Sequence, residues 1–519
     1  MVGKCKAGVL AFLAAVLMVV IIPQSAFAAD ETHLIAVCSD RHGNETALAE
    51  AMAGMPDQIE YVSIIGDMVG AGATLEEELQ ATLEEKAPTF DTSAIYNEVA
   101  AAGFRSVKSN DDVSILWADH DANANDDADI LFANAGCGSG LMQIGLNKDK
   151  SVAYYIYGIA FYELTDVAKA EKAARKFERW IDTIQDKTIP VLVFCHVPLH
   201  IARGDNGGAV AWNKALNYAA TGQETTTAGA PVIRNVIYFY GHNHTVESKK
   251  GQYSGEFYVP CGASMIIGTE EENKSCIYYT YVTAGYLNQN KAACLIAVSP
   301  AEIIIDKYQN GQVVDGLYDT ESRRSGEFAS EFVTAGSNCV ARIQDISKAS
   351  VTGVKAKTFT GKKLVQVPVV KLNGKTLAAG TDYAVSYRNN KNPGTASIAI
   401  AGKGNYIGEV TKTFKIAKAD NTLAVTGKTT TVKQDVVQKK AKSIAASKVL
   451  AFANKGKGAV TYAKASGDKK ISINKRTGKV TLRKGLKKGV YKVIVKVTAA
   501  GNAKYKKTTK KATVKVVIN

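Results

Sequence analysis

Val236-Ile237-Tyr238-Phe239-Tyr240-Gly241-His242-Asn243-His244 is the stretch on which the reading of this 519-residue chain turns. Five strand-type residues run directly into two imidazoles separated by one residue. Successive side chains of an extended chain point to opposite faces, so these histidines share one small volume only while the chain is extended or turning off a strand end. A His-x-His pair is weak evidence for a metal by itself. Four other apolar runs end the same way: Leu34 to Cys38 leads into Ser39-Asp40-Arg41-His42-Gly43, Tyr61 to Ile65 into Gly66-Asp67, Val113 to Trp117 into Ala118-Asp119-His120-Asp121, and Val191 to Cys195 into His196-Val197-Pro198. Runs of this kind, bounded by Gly or polar residues, read as strands buried on both faces. In open α/β sheets ligands gather just outside the carboxyl ends of such strands. Five of the seven histidines, His42, His120, His196, His242 and His244, stand at those ends. Core or surface histidines have no reason to collect there.

The ordered motifs Asp-x-His, Gly-Asp, a variant of Gly-Asn-His-Asp, His-x-Pro and Gly-His-x-His resemble those of the calcineurin-like metallophosphoesterase family over roughly residues 33–310. The resemblance implies an α/β fold, a double-sheet β-sandwich flanked by helices. It implies Asp40, His42, Asp67 and His244 as ligands of one divalent transition-metal ion, and Asp67, Asp119, His196 and His242 as ligands of a second, with Asp67 bridging. It further implies phosphate-ester hydrolysis by a hydroxide held between the metals, with His120 as general acid and Asp121 orienting it. Mixed oxygen and nitrogen ligation suits Mn, Fe or Zn better than Mg or Ca. One departure stands out: Asp119 occupies a position that is usually Asn, and its extra negative charge tightens cation binding while weakening Lewis acidity. Arg41 offers the guanidinium fork that suits a phosphate, or is an ordinary solvent-facing charge. His200, four residues after His196, is a further candidate substrate contact, and His33 reads as structural. The alternative is a wall-binding or adhesive surface protein whose phosphoesterase-like head is catalytically weakened, with Asp119 as the first sign.

The rest of the chain places that head in an exported protein. Lys4 and Lys6, the apolar stretch Ala7 to Ile22, and Ala26-Phe27-Ala28 form the pattern of a signal peptide, residues 1–28, whose removal leaves no stable membrane span. Charge then divides the chain. Residues 345–519 carry 39 Lys plus Arg and 6 Asp plus Glu, a net of +33, against a net of −18 for residues 1–344. The expected domains are 30–343, 345–418 and 420–519. The last two show short alternating strands with Lys-, Thr- and Gly-rich turns. They echo one another in Ala401-Gly402-Lys403-Gly404-Asn405-Tyr406 and Ala499-Ala500-Gly501-Asn502-Ala503-Lys504-Tyr505. Both resemble the all-β immunoglobulin-like repeats of Gram-positive cell-surface proteins. Such a basic module is drawn to anionic cell-wall polymers, which makes the protein secreted and wall-associated. No nucleic acid is expected, because few aromatics lie among the lysines to stack on bases.

Smaller features are mostly structural. Thr165 to Ile184 repeats apolar residues at helical spacing. Thr74 to Asn110 reads as an insertion with a helix that either overhangs the site or simply packs. Ala293 to Asp315 supplies the last strands of the head. Asp121 to Asp127 lacks the turn Gly and closing Glu of a calcium loop, and Gly136 to Gly140 lacks the Lys-Ser/Thr of a nucleotide loop. Export leaves seven cysteines, an odd number. Cys38 and Cys195 read as small core hydrophobes, and Cys276 and Cys294 are expected not to pair.

Overall fold

The computed structural model describes residues 32–41, 44, 46–66, 93–116, 139–160, 164, 166–200, 206–242, 258–259, 261–268, 273–288, 291–313 and 339–519. The chain divides into two compact units between Gln344 and Asp345.

The first unit is built on two mixed sheets. In one, β1 (His33–Cys38), β2 (Tyr61–Ile65) and β3 (Val113–Leu116) run parallel, while β12 (Ala292–Val298), β13 (Glu302–Gln309) and β14 (Gln312–Val313) extend the β1 edge in antiparallel fashion. The other has the order β4 (Gly140–Leu146), β5 (Val152–Ile159), β6 (Val191–Cys195), β7 (Val236–Tyr240), β11 (Thr280–Thr283), β8 (Tyr258–Val259), with β5, β6, β7 and β11 parallel; β9 (Ser264–Ile266) and β10 (Lys274–Cys276) pair separately, and β15 (Cys339–Ala341) pairs with β13 of the first sheet. Side-chain parity then fixes the layers. Ile35 and Val37 of β1, Leu192 and Phe194 of β6, and Ile237 and Phe239 of β7 meet in one buried layer between the sheets. Phe194 meets Phe239 edge to face at 5.4 Å. The opposite faces are also buried. Leu34, Ala36 and Cys38 pack with Ala47, Leu48, Ala51 and Met52 of the short helix α1 (Ala47–Met52) and with Val99 of α2 (Ser93–Ala101). Val191, Val193 and Cys195 pack on α3 (Val167–Thr183) and α4 (Asn206–Thr221). Helix, sheet, sheet and helix therefore stack in that order, and β1, β2, β6 and β7 are covered on both sides, while β3 is half-buried.

The helix expected over 165–184 is α3, which buries Ala170, Ala174, Phe177 and Ile181. Asp166 caps it by accepting from the Lys169 amide. The strands expected from Ala293 to Asp315 are β12, β13 and β14. Leu75, Leu79 and Leu83 of the insertion lie outside the described residues, as do residues 1–28, Asp121 to Asp127 and Gly136 to Gly138. Cys276 and Cys294 are free thiols in different cores, the first in the layer packed on α3 and α4 and the second between the sheets. Among the described residues no helix is long and apolar enough to cross a membrane.

His33, at the start of β1, faces acceptors from both ring nitrogens, the Glu60 carboxylate at 2.7 Å and Asn147 Oδ1 at 3.1 Å. Both bonds can be donated only by the imidazolium, so the hydrogen bond to Glu60 raises the His33 pKa in spite of burial. A group whose pKa is higher folded than unfolded stabilises fully below the unfolded value of about 6.5, and loses that contribution as pH rises through the folded value. His33→Gln is therefore expected to lower stability by about 1 kcal/mol at pH 5.5 and by progressively less above neutrality. Urea unfolding of parent and variant across this range checks it. A deficit that does not change with pH contradicts the charged pair.

The second unit holds two further cores. The first gathers Ile346, Val370, Ile398, Ile400, Phe414 and others, and the second Val437, Leu482, Val493, Val495, Val514 and Val516 among others. One sheet order recurs in both. β16 (Lys357–Thr358), β19 (Glu409–Ala417), β18 (Gly394–Gly402) and β17 (Tyr383–Arg388) match β20 (Thr429–Val432), β23 (Thr508–Ile518), β22 (Gly489–Ala499) and β21 (Val460–Ser466), each with its first strand parallel to its last. The sequence echo has a counterpart in backbone packing. A Cβ on Gly402 would stand 2.4 Å from the Tyr406 carbonyl oxygen, and one on Gly501 would stand 2.4 Å from that of Tyr505. Both turns admit only glycine.

Candidate metal centre

The carboxyl ends of β1, β2, β6 and β7 converge, and hydrogen bonds between them show how. Beyond β2, Gly66 has a φ of 102° and its carbonyl accepts the Asp40 amide at 3.0 Å, tying the end of β1 to the end of β2. The Ile65 carbonyl accepts from Ser39 Oγ at 3.1 Å and from His196 Nδ1 at 2.9 Å. A carbonyl oxygen can only accept, so Nδ1 of His196 carries the proton and Nε2 presents a lone pair. That orientation is how metal-ligating histidines are held. Nε2 of His196 lies 3.2 Å from Nδ1 of His242, with the rings 5.2 Å apart and nearly perpendicular. Asp40 Oδ2 accepts the His242 amide at 3.0 Å. Asp40 and His196 are buried.

The backbone is strained at two of these residues. Asp40 has φ 58° and His242 φ 67°, in the left-handed region that side chains rarely adopt. Such strain persists where surrounding contacts over-determine it, and it concentrates at functional sites. The contacts are present. The loop after β11 donates Leu287 N to the Ser39 carbonyl and Asn288 N to the Asp40 carbonyl, Ala284 N binds the Tyr240 carbonyl, and Gly241 N binds the His196 carbonyl at 2.8 Å. A Cβ on Gly241 would lie 1.8 Å from Ser39 Oγ, so only glycine lets β7 pass this close to β1.

The donors fit a divalent cation. Two imidazole nitrogens each bound at about 2.0–2.1 Å to one cation lie roughly 3 Å apart, and the His196 to His242 separation of 3.2 Å is of that size. The buried thiols do not compete. Burial raises the Cys38 pKa well above its usual value and pushes Cys294 up to about 12, so both remain protonated and poor ligands. Among the described residues no group of three or more His, Cys, Asp or Glu side chains is placed so that it could hold a metal ion.

No family model matches this chain. No curated protein matches it either. Solved structures that resemble it include a conserved uncharacterised protein, a predicted phosphoesterase, from Streptococcus pneumoniae TIGR4, at 10% identity and TM-score 0.23, covering 55% of this chain and 94% of that one. Others are purple acid phosphatase PPD1 from yellow lupin (Lupinus luteus) seeds, at 10% identity and TM-score 0.31, covering 55% of this chain and 52% of that one, and PhoD, at 10% identity and TM-score 0.31, covering 53% and 65%.

The structure thus brings the His196 and His242 rings together and sets the Asp40 carboxylate against the His242 amide. His42, Asp67, Asp119, His120, Asp121 and His244 lie outside the described residues. Arg41 pairs with Glu98 of α2 at 2.7 Å, both side chains nearly buried at 11% and 12% exposure, and donates from Nε to the Asn44 carbonyl. His200 is buried, its Nδ1 2.9 Å from the Tyr281 hydroxyl, which also accepts the Leu199 amide at 2.7 Å and so anchors the turn after His196. Tyr281 in turn stacks on Tyr240 at 4.4 Å. Sequence inspection missed Ser39, Gly241, Tyr281 and Glu98. The first two sit inside the quoted motifs beside Asp40 and His242, while nothing local marks Tyr281 or Glu98.

Proposed function

We propose that the first unit is a metal-dependent phosphoesterase and that Asp40, His196 and His242 are part of its cation site. The observation that carries this is the seating of His196 Nδ1 on the Ile65 carbonyl, which turns Nε2 onto His242 Nδ1 at the strand ends. His42, Asp67, Asp119 and His244 would complete the site with oxygen and nitrogen donors. Two divalent cations of the Mn, Fe or Zn type would supply Lewis acidity and an activated water when bound. The chain's own residues do the rest. The Ile65 carbonyl and Ser39 hold His196 in one orientation, and the Asp40 carboxylate fixes the His242 backbone. His120 donates a proton to the departing oxygen and Asp121 orients it, whereas Arg41, paired with Glu98, and His200, buried against Tyr281, are engaged within the fold and are not assigned to the substrate.

The test uses the full chain purified without chelators, supplied in turn with manganese, iron and zinc, and assayed on aryl phosphate mono- and diesters. Hydrolysis dependent on bound cation is expected. His120→Ala should keep its cation and lose about a hundred- to ten-thousand-fold in turnover, whereas Asp67→Asn should lose the cation. Cation-replete protein that hydrolyses neither ester class favours the weakened, adhesive head instead.

A further inference from the structure

In the second core of the basic unit, β22 and β23 form a long antiparallel pair whose inner residues, Val493, Val495, Val497, Ala512, Val514 and Val516, are buried. Parity turns the alternate residues outward. There the register sets Lys492 directly opposite Lys515 and Lys496 directly opposite Lys511, with Ile494 opposite Thr513 between them. All four lysines are exposed. Directly opposed side chains stand about 5 Å apart, and like charges so placed destabilise a sheet. The two lysine pairs are four residues apart, about 13 Å along the strands. Nothing acidic offsets them, since β20, β21, β22 and β23 contain no Asp or Glu. Of the acidic side chains in residues 420–519, Asp420 pairs with Lys506, while Asp435 and Asp468 accept backbone amides of their own turns.

The fold does not require this arrangement, because the first core of the same unit has the same sheet order without it. On β18 and β19 the corresponding outward pairs are Thr395 with Lys415, Ser397 with Thr413, Ala399 with Thr411 and Ala401 with Glu409. Lys415 there donates to Thr395 Oγ1 at 2.8 Å, and no two lysines face each other. Two opposed like-charged pairs are thus particular to one of two similar sheets, and an anionic partner would relieve their repulsion. The face also limits the partner's chemistry. Its centre is aliphatic and hydroxylic, and the aromatic residues of these strands, Tyr462 and Tyr491, lie opposite Val497 and Val516 on the inward parity and pack against the core. Bases would find no ring to stack on.

We propose that this outer face binds a linear polyanion without bases, a polyphosphodiester chain that lies along the strands and contacts both lysine pairs. Nothing in the first unit enters this assignment, so it stands or falls apart from phosphoesterase activity. The experiment measures binding of the full chain to poly(glycerol phosphate), with a thymidine oligonucleotide of equal charge as comparison. Lys492→Gln/Lys496→Gln/Lys511→Gln/Lys515→Gln is set against Lys355→Gln/Lys371→Gln/Lys375→Gln/Lys391→Gln, which removes the same charge from exposed sites elsewhere in the unit. At about 0.1 M salt charges act over roughly 10 Å, so position should outweigh total charge. The face variant should bind at least tenfold more weakly, and its dependence of log K on log salt should flatten by about 3, while the control loses less than twofold. Thermal melting should show the face variant as stable as the parent or more so. Lys492→Gln/Lys511→Gln, which leaves one lysine in each pair, should fall between parent and face variant and serves should the fourfold change fail to fold. Equal weakening in the face and control variants, no binding by the parent, or tighter binding to the oligonucleotide than to the polymer overturns the proposal.

Discussion

Gly241→Ala is expected to cut ester hydrolysis by about a hundredfold or more while leaving every proposed ligand in the sequence. The added methyl would lie 1.8 Å from Ser39 Oγ, 2.4 Å from Ser39 Cβ and 2.9 Å from Asp40 Oδ2. Neither side can yield cheaply. Ser39 is fully buried and bonded to the Ile65 carbonyl, and the Gly241 amide is bonded to the His196 carbonyl. Overpacking of this kind costs about 1–3 kcal/mol of stability. The greater effect is on geometry, because separating β7 from β1 moves His242 away from Asp40 and His196 together, and a displacement of about 1 Å at a reacting centre can cost roughly a hundredfold. Ser39→Gly should restore part of both losses in the Gly241→Ala background, since it removes the atoms struck, and the resulting coupling between adjacent sites is measurable as a double-mutant cycle. Melting temperature, cation content and aryl phosphate turnover of the four proteins are the readouts. Parental turnover in Gly241→Ala would show that the close approach of these strands does not matter to the chemistry.

The strands were legible because each is buried on both faces, so that its whole length is apolar and its end is marked by Gly or a polar residue. That holds for β1, β2, β6 and β7, and the helix α3 was legible for the complementary reason that only one of its faces is buried. The meeting of His196 and His242 was legible from position alone, since residues just past the ends of neighbouring parallel strands share one edge, whereas Asp40 comes from the other sheet. What the sequence did not reveal depends on contacts between distant segments. Arg41 reads as a mobile cation until Glu98, 57 residues away, is seen beside it. The role of Ser39 depends on the carbonyl of Ile65 and the imidazole of His196, two other strand ends. The left-handed backbone at Asp40 and His242 is likewise imposed from outside, by the loop of Leu287 and Asn288 and by the Asp40 carboxylate itself. In the second unit, strand alternation was readable, but whether lysines on neighbouring strands face one another depends on register, which no single strand encodes.

His196→Ala and His242→Ala should both abolish cation-dependent hydrolysis, by about a thousandfold or more, yet differ in stability, and the difference tests the geometry independently of activity. His196 does two things. Its Nε2 faces His242, and its Nδ1 satisfies the buried Ile65 carbonyl. Removing the ring leaves that carbonyl with Ser39 Oγ as its remaining side-chain donor and opens a cavity in a fully buried position, so a loss of about 2–4 kcal/mol is expected. The His242 side chain is only half-buried, and the bond between its backbone amide and Asp40 survives truncation, so the same change there should cost about 1 kcal/mol or less. Chelation separates this structural loss from loss of the cation. A ligand at a hundredfold excess over its Kd stabilises the folded state by about 2.7 kcal/mol, so stripping the metal should lower the parent's melting temperature by several degrees and leave both variants unmoved. Variants that still shift on chelation would mean that the cation binds elsewhere. A His242→Ala protein as unstable as His196→Ala would mean that the two imidazoles support the fold equally, and that the orientation of His196 by Ile65 is not what prepares it to bind metal.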